Sequence, residues 1–247
     1  GLLAAECPRG AVRSMRIERR CRRAGRIAAR GGHPLAVAVA NAARVSFNKT
    51  SNWDIVDNGN FGQTKKLSAR DKRLIKYLAE HNHWTPFAHC FVTFRVTCCI
   101  AVARQLHKHQ VGLVVNEVSR RYVSDEPTFY VPDVLRGKAK DKKQGSSGEL
   151  ERSDDARTLV WYIYNDALQC YESLLENGVC EEQARLVLPL GVNTEFYWSG
   201  SLAAWARVIN LRTSDDAQKE TRDVAELIAK HIQTLYPESY GALCESE

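Results

Sequence analysis

Residues 104–122, RQLHKHQVGLVVNEVSRRY, set three Arg, a Lys, two His, a Glu, an Asn and a Ser around a short apolar core. They follow directly on FAHCFVTFRVTCCIAVA, an apolar stretch that reads as buried structure. On a helix over 104–110, Arg104 and Lys108 share one face, and Gln105 and His109 share the adjacent one. Two cations beside two neutral hydrogen-bonding groups suit an anionic, planar ligand such as a nucleotide. An ordinary solvated helix face has the same composition. In an extended segment over 116–122, Glu117, Ser119 and Arg121 point to one side and Asn116, Val118 and Arg120 to the other. A hydroxyl and a guanidinium two residues apart can hold a phosphate. Ser119 as a nucleophile would need a base, and none stands beside it in sequence. Arg120 reads as a surface charge. Further along, Arg212 ends WARVINLR, where an inward guanidinium is costly without an anion. A salt bridge to Asp215 or Glu220 is its structural alternative, and Arg185 in QARLVLP poses the same choice.

The elements that must position these residues follow from periodicity and punctuation. Residues 34–47 are Ala-rich and helical in character, and 51–66 are polar and Gly/Asn-rich, so they read as a loop. Ser68 precedes Asp71 by three, a capping-box-like start for an amphipathic helix over 69–81 that breaks at Pro86. Residues 88–99 alternate and are rich in Val, Phe and Thr, which predicts a strand. Helical periodicity resumes over 100–112, extended structure is expected over 116–123 and 128–135, and 137–149 is an exposed low-complexity loop. A long helix spans 155–178 with Gly178 as its stop. A helix over 181–191, an extended 193–200 and helices over 201–212 and 215–236 complete the chain. The fold class is α+β, mostly helical with a small, largely antiparallel sheet. Trp161, Tyr162, Tyr164, Phe196 and Trp198 read as core or interface packing, and His89 and His107 as structural histidines.

Charge and cysteine usage narrow the class. The net charge of +6 is local: residues 1–34 hold nine Arg against two Glu, a net +7, so the remainder is near −1. That tail lacks aromatics and periodicity, so residues 1–34 are expected to stand unstructured outside a domain at 35–247. It suits an organellar transit peptide or a nucleic-acid-binding arm. Met15, the single Met, is a candidate start, and a fragment of a longer chain is the alternative. No nucleic acid is expected for the body, and no apolar run reaches the roughly 18 residues of a bilayer span. The eight Cys form no CxxC pair, so no metal site is expected; they read as reduced thiols of a cytoplasmic protein.

Taken together, AARVSF (42–47), HNHWTPFAH (81–89), RQLHKHQVGLVVNEVSRRY and the run from Glu181 to AQKE (217–220) resemble the flavin-dependent thymidylate synthases. The resemblance covers nearly all of the body and none of the tail. It implies conversion of dUMP to dTMP with methylenetetrahydrofolate as carbon donor, FAD as hydride carrier and NADPH to recharge the flavin. It also implies a homotetramer whose sites draw on several subunits, without a cysteine nucleophile. By the same resemblance Gln105 and Lys108 touch dUMP, and Glu117, Ser119 and Arg121 reach it from a neighbouring subunit. Arg185 is a further dUMP ligand, and Arg212 contacts the uracil ring and favours ionisation at N3. Lys108, His109 and Gln110 occupy a triplet that holds FAD, with Glu117 near the flavin and Thr85 a flavin contact. His83 matches a His at the folate and flavin face. Ser201 and Arg207 fall where the family often has Asn or His against FAD.

Two departures stand out. The family's Arg-His-Arg, seven residues, then Ser is here Lys-His-Gln, eight residues, then Ser119. Lys replaces a bidentate fork with a point charge, and Gln removes a charge. The extra residue calls for a bulge or a re-registered turn between His109 and Asn116. A cysteine-dependent synthase would need a Pro-Cys-His setting, which no Cys here has. Two rival functions stay open: a homologue that binds nucleotide without turnover, and a nucleic-acid-binding protein using the tail.

Overall fold

The computed structural model describes residues 16–19, 36–57, 59, 63–123, 125–139 and 145–245. In chain order, β1 (Arg16–Arg19) precedes α1 (Ala36–Arg44). The stretch 51–66, expected to be loop, holds a hairpin of β2 (Asp54–Asp57) and β3 (Gln63–Lys66). Both strands are almost wholly exposed, so neither carries the alternation that marks a half-buried strand. Ser68 caps α2 (Ala69–Glu80), its hydroxyl accepting from the Asp71 N–H at 3.1 Å, as the spacing predicts. A single turn, α3 (Thr85–Ala88), with Pro86 near its start, leads into β4 (Phe91–Cys99).

Helix α4 (Ile100–Leu106) is shorter than expected, and β5 (Leu113–Glu117) ends before Ser119. A second small hairpin, β6 (Arg136–Lys138) with β7 (Ser146–Glu149), occupies part of the stretch expected to be loop. The expected extended segment at 128–135 contributes only a bridge, Phe129 to Val192. Helix α5 (Ser153–Glu176) stops just before Gly178, which takes a φ of +81°. The expected helix over 181–191 is one turn, α6 (Glu181–Ala184), continued as a 3-10 turn over Arg185–Val187. Then come β8 (Asn193–Ser201), α7 (Leu202–Arg212), α8 (Lys219–Leu235) and a terminal helix not foreseen, α9 (Pro237–Cys244).

The main sheet has the order β1-β4-β8-β5 with every pair antiparallel, so the α+β class holds. Within β4 the side chains of Val92, Phe94, Val96 and Cys98 are buried and those between them half-covered, as alternation demands. Phe94, Trp198 and Trp205 meet edge to face at 4.8–5.0 Å between centroids. The indole N–H of Trp205 donates to the Gly200 carbonyl at 3.1 Å, which satisfies a fully buried donor. Arg16–Arg19 corrects one expectation: four residues of the tail belong to the sheet. The reason is backbone chemistry, since β4 offers an unpaired edge that any extended segment can satisfy. The rest of residues 1–35 lies outside the described residues. No helix among the described residues is long and apolar enough to cross a membrane.

One buried acid ties α1, the segment before β2 and α2 together. Asp71, 2% exposed, accepts from Arg44 at 2.6 Å, from the Ser51 hydroxyl at 2.7 Å and from the Ser68 hydroxyl at 2.8 Å. Burial pushes its pKa up, but these hydrogen bonds outweigh burial and hold it below the usual 3.8. Asp71→Ala should cost about 3–5 kcal/mol, because it strands a buried guanidinium. A carboxyl with a lowered folded pKa stabilises above its unfolded pKa and loses that effect as pH falls through the folded value. Urea unfolding of both proteins at neutral pH and at pH about 3 should therefore show the gap between them narrowing in acid.

Candidate active site

Successive residues stand about 100° apart around a helix, so Arg104 and Gln105 of α4 face different cavities. Arg104 and His107 line a cleft of about 560 Å³ with Glu117, Ser119, Arg121 and Arg185. Arg121 Nε donates to Ser119 Oγ at 3.0 Å, and its guanidinium lies 4.9 Å from the Tyr122 ring centroid. Arg185 Nε donates to the Glu182 carbonyl at 3.3 Å. Glu117 accepts from the Thr194 hydroxyl at 2.6 Å, and its other oxygen lies 4.0 Å from His107 Nδ1. Burial lowers the His107 pKa more than Glu117 raises it. Ser119 and Arg121 occupy a turn, closed by Tyr122 N–H on the Ser119 carbonyl, and not the strand face expected of them. They converge all the same, because Arg121 reaches back two residues. The Ser119 hydroxyl faces a guanidinium and not a base, so no nucleophile is assembled.

Gln105 faces a second cavity of about 530 Å³, with Arg212, Arg136, Ser146, Gln218 and Lys219 among its walls. The expected alternative partners of Arg212 are taken: Asp215 pairs with Arg222 at 3.1 Å and Glu220 with Arg136 at 2.7 Å. Arg212 Nε donates instead to His109 Nε2 at 2.9 Å. An imidazole that accepts at Nε2 is neutral and carries its proton on Nδ1. Burial chiefly, then the Arg212 and Arg207 guanidinium groups, lower the His109 pKa. Arg212 thus has no carboxylate partner among the described residues.

The loop between α4 and β5 corrects the helical placement of Lys108 to Gln110. Since α4 ends at Leu106, the pairing of Arg104 with Lys108 and Gln105 with His109 on helix faces does not form. Lys108 and Gln110 are exposed. The chain turns between His109 and Asn116, with Leu113 N–H on the Gln110 carbonyl at 3.2 Å and Gly112 at φ +75°. A Cβ there would also come within 3.2 Å of the Ala204 Cβ. Arg207 Nη2 donates to the Val111 carbonyl at 2.8 Å, and Ser201 caps α7 by accepting from the Ala204 N–H. Thr85 and His83 lie outside both cavities. His83 meets Tyr77 edge-on at 6.0 Å, and Tyr77 stacks on His81 at 4.0 Å.

The structure therefore brings together Glu117, Ser119, Arg121 and Arg185 on one side and Gln105, His109 and Arg212 on the other. Thr194, Thr221 and Arg136 were not foreseen; Gln218 was visible only as a letter of AQKE, and Glu220 only as a salt-bridge alternative for Arg212. The Cys90, Cys98 and Cys99 thiols are buried and outside any disulfide, and burial pushes Cys90 up to about 11 and the other two upward as well. None of these three is a thiolate at neutral pH. As pH falls through the lowered His109 pKa, Nε2 takes a proton and releases Arg212. NMR of labelled imidazoles should show His109 titrating below 6.5, and Arg212→Ala should raise that pKa by removing an opposing charge.

Comparisons with known proteins fall on this architecture. The family model described as "Thymidylate synthase complementing protein" matches residues 35–238. A flavin-dependent thymidylate synthase of Thermosipho melanesiensis is 38% identical over 72% of this chain and 78% of its own length. That of Thermus thermophilus is 36% identical over 84% and 71%. The structure of a UMP/dUMP methylase, PolB of Streptomyces cacaoi, bound with 5-Br dUMP, superposes with a TM-score of 0.74 at 27% identity, covering 94% of this chain and 95% of that one. With motifs, fold and relatives in agreement, this chain belongs to the flavin-dependent thymidylate synthase family.

Proposed function

We propose that this chain converts dUMP to dTMP, taking the carbon from methylenetetrahydrofolate and using FAD recharged by NADPH. One observation carries the reading beyond family membership. Arg121, Arg185 and Arg212 line cavities and, among the described residues, meet a hydroxyl and an aromatic ring, a carbonyl and an imidazole, but no carboxylate. An anionic pyrimidine nucleotide supplies the charge they lack. Arg121 with Ser119, and Arg185, hold the phosphate. Arg212 faces the uracil, where its charge stabilises the anion developing toward N3 and makes C5 nucleophilic. Its bond to neutral His109 fixes the guanidinium plane without spending its charge on a carboxylate.

The two groups of ligands occupy separate cavities of one protomer, which supports sites completed between subunits of a homotetramer. Gln105, Lys108 and Arg212 of one subunit would meet Glu117, Ser119, Arg121 and Arg185 of another. Exposed apolar side chains favour such an assembly: Leu159 and Ile163 on α5, and Leu186 and Leu190 beside Arg185. The chain works in the cytoplasm, with the basic tail serving as an addition to the catalytic domain at 35–247.

The loop after α4 fits a dinucleotide. His109 keeps Nδ1–H as a donor, the Lys108 ammonium and Gln110 amide are exposed, and Gly112 lets the loop turn close against α7. Arg207 and Ser201 border that loop from α7, Glu117 stands between nucleotide and flavin, and Thr85 and His83 complete the flavin and folate face. When bound, the flavin supplies the hydride that completes the methyl group.

An assay with dUMP, methylenetetrahydrofolate, NADPH and FAD should yield dTMP, and omitting FAD should abolish it. Nucleotide and flavin binding without product would point to a non-catalytic homologue. Arg212→Ala should lose turnover yet retain flavin. Mixing inactive Arg212→Ala with inactive Arg121→Ala should restore about one site in four if subunits share sites and exchange freely. No regained activity after co-expression would speak against shared sites.

A further inference from the structure

A chain of side-chain hydrogen bonds runs behind the Arg212 cavity. The Arg136 guanidinium donates to Ser146 Oγ and to Glu220 Oε1, both at 2.7 Å. Gln218 Nε2 donates to Glu220 Oε2 at 2.9 Å. The Gln218 oxygen accepts from Gln105 Nε2, and Gln105 Oε1 accepts from the Thr221 hydroxyl at 3.1 Å. A hydroxyl can turn to donate or accept, so Thr221 imposes no direction on this chain. Glu220 does. A carboxylate paired with Arg136 accepts only, so Gln218 must offer it N–H, and Gln105 must then offer N–H to Gln218. Each amide keeps one further N–H without a partner among the described residues. Both residues line the cavity that Arg212 also lines. Asp216, a carboxylate in the same lining, already has a partner.

We infer that Glu220 and Arg136 are positioning residues that polarise a Gln218–Gln105 amide relay, so that both amides present donors beside Arg212 to acceptor oxygens of the nucleotide. The inference rests on the dUMP reading above. Two parts of dUMP have the required chemistry: the uracil carbonyl oxygens, which accept while the N3–H between them donates, and the phosphate oxygens. If the ring is read, the relay discriminates uracil from cytosine, whose amino group would meet donors with a donor.

The test compares wild type, Gln218→Met and Glu220→Gln as FAD-loaded proteins, titrated with dUMP, dCMP and deoxyuridine. Position 218 is exposed, so Gln218→Met carries the test should the buried Glu220→Gln fail to fold. Expected is a loss of dUMP affinity of about tenfold, the worth of one hydrogen bond, with Tm and flavin content unchanged. A smaller loss for dCMP than for dUMP assigns the donors to the ring. Equal losses for both nucleotides and none for deoxyuridine assign them to the phosphate. Unchanged dUMP affinity, or a loss matched by lower Tm and lost flavin, overturns the relay and leaves the dUMP reading standing. Failure of dUMP to bind the wild-type protein overturns both.

Discussion

A guanidinium inside a folded protein keeps its charge, so the fold must give it an anion or leave it waiting for one. The arginines of this chain divide on that point. Arg44, Arg95, Arg136 and Arg222 each meet a carboxylate, on Asp71, Glu195, Glu220 and Asp215. These pairs join elements, as Arg44 does when it ties α1 to α2. Among the described residues, Arg121, Arg185 and Arg212 meet neutral groups and line cavities. Asp215 and Glu220, the carboxylates expected as alternative partners of Arg212, are held by Arg222 and Arg136. The nucleotide chemistry proposed for the chain depends on that separation.

Helix α4 and its exit determine how the ligands are shared out. Leu106 is fully buried, and β5 must turn back to pair with β8, so the chain leaves the helix directly after it. Arg104 and Gln105 are then split between cavities, and Lys108 to Gln110 fall in a loop that can bend around a ligand. The sheet supplies the other half. Glu117 ends β5 opposite Phe196 of β8, and Thr194, further along β8, reaches its carboxylate. Pairing the strands thus places the acid and its hydroxyl partner without a long side-chain search. A protomer built this way sets the candidate ligands on two cavities, the arrangement on which the proposal of shared sites rests.

Legibility in the sequence followed burial. β4 and β8 are half-buried, so their alternation shows; α2 announces itself through Ser68 and Asp71, and α5 through Gly178. The hairpin β2–β3 and strand β7 are almost wholly exposed, and β6 is three residues long, so none leaves a pattern to read. β1 pairs through its backbone, which composition does not encode. The candidate site was legible only as letters: Ser119, Arg121, Arg185 and Arg212 stand in motifs, and all four line cavities. Its geometry was not: hydrogen bonds between Gln105 and Thr221 span 116 positions. Periodicity reports only neighbours along an element, so the relay behind the cavity had no local signature.

The same distinction bears on the Lys108-His109-Gln110 triplet expected to hold FAD. Lys-His-Gln carries one cation fewer than Arg-His-Arg, and a reading confined to those three letters expects a weaker anion site. Helix α7 changes the local charge. Arg207 reaches the Val111 carbonyl and Arg212 reaches His109, so two guanidinium groups stand against the loop from outside it. Both oppose protonation of His109, a direct sign that their fields reach the triplet. The electrostatics of the loop therefore belong to α7 as much as to its own residues. What Gln110 removes in sequence is offset in space by side chains almost a hundred positions away.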